Sequence, residues 1–277
     1  MIDISAISTC LTLGKDDIWY SADEQKIFYP TEGNDACFAI EDNSFWFRHR
    51  NACITTIANI YSPKGAIFDV GGGNGYVAQG LSEAGFAVVL VEPGKDGARH
   101  AKERGIQHVI CATVEAAGFK PHALPAVGMF DVLEHIEDDR HFLQHIHSVM
   151  QQGGYLYLTV PAYTLLWSAD DVFAGHFRRY SLKALAHTLH GAGFQVIFAT
   201  YIFRFLPLPV FLFRTLPYRL GLARSTGQAK IISRDHAVGN KTLATFLNTL
   251  LQSELKNLQK QQTMHFGGSC LVVAQNL

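Results

Sequence analysis

Short apolar runs alternate with amphipathic stretches through most of the chain, and this alternation predicts the fold. The apolar runs that predict strands lie at 66–70, 87–91, 108–112, 126–130, 155–160 and 194–199. Helical spacing between them predicts helices at 76–83 and 96–104, one capped by Asp138 and one capped by Ser181. Strands that alternate with helices of this length form a parallel sheet covered by helices on both faces.

The pattern changes at both ends of the chain. Residues 1–43 are mixed in character, and a helix is predicted from near Ser44 to about Tyr61. Beyond residue 199, the alternation gives way to a proline-rich apolar segment, a polar segment and a helix near 242–258. We therefore expect four units: an N-terminal extension with a helix (1–61), an α/β core (62–199), a cap or substrate wall (200–265), and a final strand of the core (266–277).

Composition narrows the classes of function. The 277 residues carry a net charge of −1, whereas nucleic-acid-binding proteins usually carry a basic surplus, so we expect no nucleic-acid partner. The five cysteines form no CxxC pair, which disfavours a zinc knuckle or a disulfide framework and fits a reducing, cytoplasmic location. The first ten residues contain Asp3 and no basic residue, so they do not resemble a signal peptide.

The segment 201–220 is apolar enough to suggest contact with a membrane. It contains three arginines and three prolines, whereas a spanning helix needs about 20 apolar residues with few charges. We therefore expect no transmembrane span. A broken apolar cap over the site, a dimer surface and a segment lying on a membrane are all compatible with this sequence.

The sharpest chemical signal is a glycine-rich turn, IFDVGGGNG at 67–75, between a predicted strand and a predicted helix. Glycines let the backbone turn tightly and approach a ligand, and a helix start offers free N–H groups. Asp69 stands just before the turn and suits a ligand ammonium group. Glu92, at the end of the next strand, can accept hydrogen bonds from two ribose hydroxyls. A lone turn of this kind is more often structural, but its combination with the strand, the helix and Glu92 favours a ligand site.

The spacing of the glycines separates classes of ligand. Dinucleotide-binding folds use GxGxxG, whereas here glycines at 71, 73 and 75 give GxGxG, followed by Tyr76. The GxxxxGK[ST] pattern of a P-loop is absent. A nicotinamide-dependent oxidoreductase is therefore the less favoured interpretation.

These features resemble the class I S-adenosylmethionine-dependent methyltransferases over roughly residues 41–200 and the final strand. Asp69 with Gly71, Gly73 and Gly75 matches the family's glycine motif. Glu92 matches its ribose-binding acid, and FDVLEH at 130–135 matches the motif after its fourth strand. The resemblance implies an α/β fold, a Rossmann-like seven-stranded methyltransferase sheet with helices on both faces, plus an N-terminal extension and a cap-like insertion before the last strand. It implies S-adenosylmethionine as cofactor, bound by Arg50, Asp69, Gly71, Gly72, Gly73, Gly75, Glu92, Pro93, Thr113, Val114 and Phe130.

One position departs from the family pattern. Family members typically carry an aspartate near the adenine, in the turn after the third core strand, where this chain has Thr113. We expect backbone groups of Thr113 and Val114 to replace the contact that the carboxylate makes.

Two further stretches narrow the resemblance. The runs at 41–50 and 161–181 resemble an uncharacterised bacterial subfamily, some of whose relatives are associated with cell-surface saccharide or lipid modification. Asp131-x-x-Glu134-His135 is similar to the Glu-x-x-Glu-His of ubiquinone-pathway O-methyltransferases, where these residues are linked to a divalent ion. The resemblance implies a Mg²⁺ site at Asp131, Glu134 and His135, although acids in a helical turn also occur without metal. In the same group, an arginine at nearly the distance of Arg50 from the glycines meets the cofactor's carboxylate.

Methyl transfer is a displacement at an activated sulfonium methyl, so the protein has to position the acceptor and, for a hydroxyl, remove its proton. The candidate catalytic residues are His135, as the base, with Asp131 and His176. Two arginines, a tyrosine and aromatic walls can bind sugars, phosphates or carboxylates, although the same residue types also serve as loop bridges and core. The candidate substrate residues are Trp46, Tyr163, Trp167, Arg178, Arg179 and Tyr180.

We therefore expect an O-methyltransferase that acts on a small-molecule, saccharide or lipid-linked acceptor, in the cytoplasm or peripheral to a membrane. An N- or C-methyltransferase would bind the cofactor through the same residues. The acceptor pocket alone therefore distinguishes oxygen, nitrogen and carbon methylation. An inactive methyltransferase-like binding module is disfavoured by the intact glycine motif with Glu92. The sequence leaves the oligomeric state open.

Overall fold

The computed structural model describes residues 2–22, 38–222 and 241–277, and within these its centre is one nine-stranded sheet. The strands in chain order are β1 (Leu11–Leu13), β2 (Trp19–Ser21), β3 (Ile67–Val70), β4 (Val88–Val91), β5 (His108–Cys111), β6 (Leu124–Phe130), β7 (Met150–Pro161), β8 (Phe194–Ile202) and β9 (Ser269–Asn276). Their order across the sheet is β1-β2-β5-β4-β3-β6-β7-β9-β8.

Helices cover both faces of this sheet. The helices in chain order are α1 (Ile4–Ile7), α2 (Phe45–Ile60), α3 (Tyr76–Glu83), α4 (Lys95–Glu103), α5 (Asp139–Val149), α6 (Ala169–Ala174), α7 (Leu182–Gly191), α8 (Pro207–Val210), α9 (Leu216–Arg219) and α10 (Lys241–Gln259). Short 3₁₀ turns lie at Leu133–His135 and Thr164–Leu166, and a π-helical turn at Phe211–Thr215 joins α8 to α9.

The sheet confirms the predicted α/β methyltransferase architecture in its seven strands β3 to β9. Strands β3 to β7 pair in parallel, and β9 runs antiparallel between β7 and β8. Neighbouring residues of one strand point to opposite faces, so Phe68 joins the core packed by α5 and α7 while Ile67 joins the core packed by α2 and α3. This explains why the strands read as continuous apolar runs.

The predicted count of seven strands is wrong for the whole sheet, because the N-terminal extension adds two. Strands β1 and β2 pair antiparallel, and β2 continues the sheet in parallel beside β5, with Trp19 opposite Ile110. Each is three residues long. Three residues are too few to show an alternation of apolar and polar positions, so these strands could not be predicted from the sequence.

Helix α2 begins where the sequence predicted, because the Ser44 side chain accepts hydrogen bonds from the backbone N–H groups of Trp46 and Phe47. The helix packs against α10, and a buried contact joins the two. His49 Nε2 lies 2.9 Å from Glu254 Oε1. The Glu254 carboxylate also accepts hydrogen bonds from the backbone N–H groups of Phe203, at 2.6 Å, and Arg204, at 3.0 Å. The end of β8 is thus fixed to both helices.

The segment after β8 departs from the core by folding into α8, the π-helical turn and α9. Strand β8 itself continues to Ile202, beyond the 199 boundary expected for the core. Pro207 and Pro217 each stand in the first turn of a short helix, where the missing N–H costs nothing. None of the helices among the described residues combines the length and apolarity that crossing a membrane requires.

Candidate active site

A cavity of about 480 Å³ lies where the carboxyl ends of the parallel strands meet. This is the edge at which open α/β sheets bind ligands. The predicted site residues that line it are Trp46, Arg50, Asp69, Gly71, Gly72, Gly73, Glu92, Pro93, Thr113, Phe130, Asp131, Glu134, His135 and His176. The structure therefore brings together predicted residues from α2, from four strand ends and from the segment after α6.

The glycine turn bends tightly beside this cavity. Gly71 has a φ of +69°, and a Cβ there would meet Val132 Cγ2 at 2.7 Å. Gly73 has a φ of +53°, with open space where its Cβ would stand. The turn is held by Glu92, whose Oε2 accepts from Gly73 N at 2.9 Å and whose Oε1 accepts from Gly94 N at 2.7 Å. Each oxygen keeps a second lone pair for a ligand.

Asp69, like Glu134, is a buried carboxylate of the site with an oxygen that lacks a hydrogen-bond partner among the described residues. It is 1 % exposed, and its Oδ2 has no hydrogen-bond partner among the described residues. Burial raises the pKa of Asp69 to about 7, with Glu92 adding to the rise and the positive charge of Arg50 opposing it. A buried oxygen without a partner is costly, so this position favours a ligand that donates a hydrogen bond or carries positive charge.

Arg50 bridges α2 to the end of β6. Its Nη1 donates to Asp131 Oδ2, and its guanidinium lies 4.6 Å from the ring centroid of Trp46. Asp131 is fixed further by Thr159, whose hydroxyl donates to its Oδ1 at 3.2 Å. The φ of Asp131 is +60°, a left-handed conformation that non-glycine residues seldom adopt. The backbone is therefore held so that this carboxylate meets the arginine.

His135 and His176 form the opposite part of the cavity lining. Their ring centroids lie 4.7 Å apart, with planes at 80°. Burial lowers the pKa of His135 to about 4, and the neighbouring His176 adds to this effect. The Nδ1 of His176 lies 2.9 Å from Oδ1 of Asp171. At neutral pH, His135 is therefore a neutral imidazole, and His176 is the one oriented by a carboxylate.

Asp171, which sequence reasoning missed, organises this region. Its side chain is fully buried and accepts from Arg179 Nε at 2.7 Å and from Arg179 Nη2 at 3.0 Å. It also accepts from the backbone N–H of Ser168 at 2.8 Å, completing the capping box of α6. Burial alone would raise the pKa of Asp171, but the hydrogen bonds from His176 and Arg179 outweigh it and lower the pKa to about 2.

The predicted Mg²⁺ site at Asp131, Glu134 and His135 does not form as expected. Asp131 is engaged by Arg50 and Thr159, and the group at this cavity whose ligand atoms approach within 4.8 Å of one another is Glu134, His135 and His176. Glu134 is 1 % exposed, and burial, with the Asp131 charge nearby, raises its pKa well above the usual range. One carboxylate and two imidazoles suit transition metals, whereas Mg²⁺ prefers oxygen ligands. The donor set therefore does not fit Mg²⁺.

Several predicted residues lie outside the cavity because other contacts hold them. Gly75 has a φ of +79° and caps α3, and Val114 is buried in the core. Arg178 bonds to the Glu137 carbonyl and to Asp139, and Arg179 bonds to Asp171. The other three predicted substrate residues are also elsewhere: the Tyr180 hydroxyl donates to Asp139, Tyr163 stacks on Tyr201, and Trp167 follows the 3₁₀ turn without lining the cavity.

The cavity also contains residues that the sequence did not single out. Val132 lies inside the predicted 131–135 motif, Ile136 follows it directly, and Asn74 lies inside the glycine turn, so their positions could have been predicted from the sequence. Glu41 gave no such signal, because long-range contacts place it: its Oε2 lies 2.9 Å from Arg104 Nη2, and its Oε1 accepts from Asn74 at 3.3 Å. The remaining lining residues are Phe47, Tyr76, Val77, Pro161, Ala174 and Ser269.

A second cleft, of about 650 Å³, lies where α10 is followed by residues 261–266. Arg204 and amide side chains line it, together with His265 and Phe266. It shares no lining residue with the first cavity and includes none of the glycine turn. The chemistry of the site therefore belongs to the cavity at the strand ends.

Comparison with known proteins gives a consistent family and fold. A family model described as a methyltransferase domain matches residues 46–198, which is more than half of the chain. The mitochondrial ubiquinone biosynthesis O-methyltransferase of Mus musculus is 30 % identical over 118 residues, which are 39 % of this chain and 32 % of that enzyme. The chain thus spans about a third of the length of the curated relatives it matches.

Two solved structures share the fold. The Haloferax volcanii putative methyltransferase, in complex with the Trm112 methyltransferase activator, superposes with a TM-score of 0.54 at 14 % identity, covering 89 % of this chain and 96 % of that one. The phosphoethanolamine N-methyltransferase 2 of Haemonchus contortus, in complex with S-adenosyl-L-methionine, superposes with a TM-score of 0.53 at 17 % identity, covering 89 % and 57 %. At these identities the likeness concerns the fold.

Proposed function

Because the chain belongs to the methyltransferase-domain family, within the class I S-adenosylmethionine-dependent methyltransferases, we propose that it transfers the methyl group of S-adenosylmethionine to a hydroxyl oxygen. The acceptor is a small molecule, a saccharide or a lipid-linked group. The single observation that carries the cofactor assignment is the buried Asp69 oxygen without a partner, directly beside the glycine turn and Glu92.

The cofactor fits the cavity by charge and by hydrogen-bonding capacity. A volume of about 480 Å³ lies within the range of about 300–1,000 Å³ typical of small-ligand sites. The Glu92 carboxylate would accept hydrogen bonds from the ribose hydroxyls, while Thr113, Pro93 and Phe130 would line the adenine end. Asp69 would accept from the amino group of the methionine part. The buried Nε of Arg50 has no partner among the described residues, and we assign Arg50 to the cofactor's carboxylate.

The acceptor lies on the side of the cavity formed by His135 and His176. Its oxygen attacks the methyl carbon as the carbon–sulfur bond breaks, giving a methyl ether and S-adenosylhomocysteine. The hydroxyl proton passes to Nε2 of His176, since Asp171 holds Nδ1 in its protonated form. His135 is a weaker base than the sequence suggested, because its buried imidazole has a pKa of about 4. We assign it to orienting the acceptor.

Asp131 is reassigned from catalysis to positioning. Its carboxylate is held by Arg50 and by the Thr159 hydroxyl, so it is not free to exchange a proton with an acceptor. An amine acceptor of ordinary basicity is protonated near neutral pH and must also lose a proton before it attacks, so the identity of the methylated product, and not a dependence of turnover on His176, separates oxygen from nitrogen transfer. No step is assigned to Mg²⁺, because the donor set does not fit that ion.

Calorimetric titration with S-adenosylmethionine and S-adenosylhomocysteine tests the cofactor assignment. We expect micromolar binding of both, no binding of NAD, and loss of S-adenosylmethionine binding in Asp69→Asn. Asp96→Asn is the matched control, because Asp96 is an exposed aspartate on α4. Folded protein that binds neither sulfur ligand, or an Asp69→Asn variant that binds as the wild type does, would overturn the assignment.

A further inference from the structure

Exposed hydrophobic side chains are concentrated on one part of the surface. Fourteen large hydrophobic residues are exposed among the described residues, and twelve of these lie at 165–177, at 208–222 or at Phe266. The exposed fraction reaches 71 % for Phe213 and 70 % for Leu222. Apolar patches of this extent on a protein surface mark an interaction site. We call the twelve residues the apolar face.

Specific contacts join the two stretches into one surface. Arg214 Nη1 lies 3.0 Å from Asp170 Oδ2, so the π-helical turn is tied to α6. Arg219 Nη2 donates to the Leu165 carbonyl at 3.1 Å, which ties α9 to the 3₁₀ turn. Phe266 packs at 5.8 Å from the ring of Tyr163, beside the same turn. The apolar face is therefore continuous across α6, α8 and α9.

Charge along the chain favours a lipid occupant over a protein one. The described segment 201–222 holds three arginines and no acidic residue, whereas the whole chain has 23 basic and 24 acidic residues. The other 255 residues thus carry 20 basic and 24 acidic side chains, a net charge of −4 against +3 in the segment. Aromatic and aliphatic tips among arginines are typical of segments that lie in the interface of an anionic bilayer.

The apolar face and the cavity share one element. Within α6, Val172 and Phe173 are 56 % and 50 % exposed, while Ala174 lines the cavity. Two residues further on, His176 lines the cavity and the adjoining Phe177 is exposed. A surface that rests on a bilayer through Phe173 and Phe177 therefore holds the acceptor side of the cavity close to that bilayer.

We propose that the apolar face docks on an anionic lipid bilayer and presents the cavity to a lipid-anchored acceptor, an inference whose acceptor part rests on the proposed methyl transfer. The buried area comes from aromatic and leucine side chains that insert into the headgroup layer. Arg204 and Arg219 face the lipid phosphates. The arrangement selects acceptors whose hydroxyl-bearing group projects from the membrane surface.

Vesicle co-sedimentation of the full chain tests the docking. The wild type should pellet with phosphatidylcholine vesicles containing about 30 % phosphatidylglycerol and should pellet less with phosphatidylcholine alone. The double variant Phe173→Ser/Phe213→Ser should lose at least about tenfold in affinity, since each phenyl ring withdraws from the interface. Arg204→Gln should lose about fivefold at low salt.

Leu13→Ser provides the matched control, because Leu13 is 49 % exposed on β1, at the edge of the sheet opposite β8. This variant should pellet as the wild type does. Docking is overturned if the wild type ignores both vesicle types, or if the double variant binds unchanged. A third outcome also overturns it: the wild type is a dimer by light scattering, the double variant is a monomer, and neither binds vesicles. The apolar face would then be a self-association surface.

The two proposals fail in distinguishable ways. S-adenosylmethionine titration of each variant shows that the cavity is folded. Intact cofactor binding without vesicle binding overturns the docking alone. Vesicle binding without cofactor binding leaves the docking standing and overturns the proposed reaction.

Discussion

Oδ1 of Asp171 lies 2.9 Å from Nδ1 of His176 and, at 2.7 Å, from Nε of Arg179. The arginine thus holds the carboxylate, and the carboxylate holds the imidazole. Because Nδ1 donates in this contact, Nε2 is left as the acceptor atom of the neutral ring. A buried charge network of this kind fixes both the tautomer and the orientation of a group that lines the cavity.

Asp171→Asn is expected to disturb the His176 tautomer without disturbing the cofactor. An amide oxygen accepts from Nδ1 more weakly than a carboxylate does, so long-range ¹H–¹⁵N spectra should show a larger Nε2-protonated fraction for His176. Turnover on a hydroxyl acceptor should fall roughly 10²- to 10⁴-fold, while the affinity for S-adenosylmethionine stays within about twofold of the wild type.

Asp170→Asn is the matched control for this variant. Asp170 neighbours Asp171 on α6, but its partner is Arg214 rather than a histidine. The His176 spectrum of this variant should match that of the wild type. Unchanged tautomer populations in Asp171→Asn would show that the carboxylate does not orient the ring.

The sequence predicted much of the cavity lining near the glycine turn, but it did not predict the contacts around His176. Asp69, Gly71 and Glu92 lie at or just after the ends of strands. Apolar runs and turn glycines predict such strand ends from the local sequence. The contacts of Arg179 and Asp131 are with residues outside their local sequence, because Arg179 binds Asp171 across a loop and Asp131 binds Arg50 on α2. Arg50 reaches Asp131 from a different element, 81 residues away in sequence. Sequence spacing suggested a helical face for residues 131–135, but the left-handed backbone at Asp131 turns that carboxylate toward the arginine.

Asp69 should make stability fall as pH rises. Its pKa is raised from 3.8 to about 7 in the folded protein, so the fold binds a proton that the unfolded chain has already released. Its contribution is most favourable below the unfolded pKa and is lost as pH rises toward the folded value. Between about pH 5 and pH 8, the free energy of unfolding of the ligand-free wild type should fall by about 2–3 kcal/mol relative to Asp69→Asn.

Urea unfolding at the two pH values measures this difference directly. Asp96→Asn should reproduce the wild-type pH dependence, since Asp96 is exposed on α4. A wild type and an Asp69→Asn variant with parallel pH profiles would show that Asp69 ionises normally in the fold.

Arg50 should set the pH at which the cofactor binds. Its positive charge opposes the rise of the Asp69 pKa, so Arg50→Met should raise that pKa further and leave the Asp131 carboxylate unpaired. We expect Arg50→Met to bind S-adenosylmethionine at least about tenfold more weakly near neutral pH, because one unit of pKa corresponds to a tenfold change. The midpoint of its binding-versus-pH curve should move upward.

Arg50→Lys separates charge from geometry at this position. It keeps the positive charge near Asp69 but cannot place a planar fork over the Trp46 ring and against Asp131. Its midpoint should therefore stay near that of the wild type, while its affinity falls. Calorimetry across pH provides both quantities, and identical midpoints for the methionine and lysine variants would contradict the electrostatic role.

A side chain at Gly71 should be destabilising both through backbone strain and through overpacking. Comparison with Gly221 separates these two effects. Gly71 and Gly221 share a φ of +69°, but a Cβ at Gly71 would meet Val132 Cγ2 at 2.7 Å, whereas none of the described residues lies within 4 Å of a Cβ at Gly221. Gly221→Ala should cost about 1 kcal/mol in the free energy of unfolding, from backbone strain alone. Gly71→Ala should cost about 1–3 kcal/mol more, because it adds overpacking to the same strain.

Val132→Ala tests where the extra cost arises. Truncating Val132 removes both of its Cγ atoms, so Gly71→Ala should be less damaging in that background, and the coupling energy of the double-mutant cycle should offset much of the difference between the two glycines. Equal costs for Gly71→Ala and Gly221→Ala would show that the turn relaxes away from Val132. A large difference that Val132→Ala leaves untouched would place the constraint in the backbone of the turn.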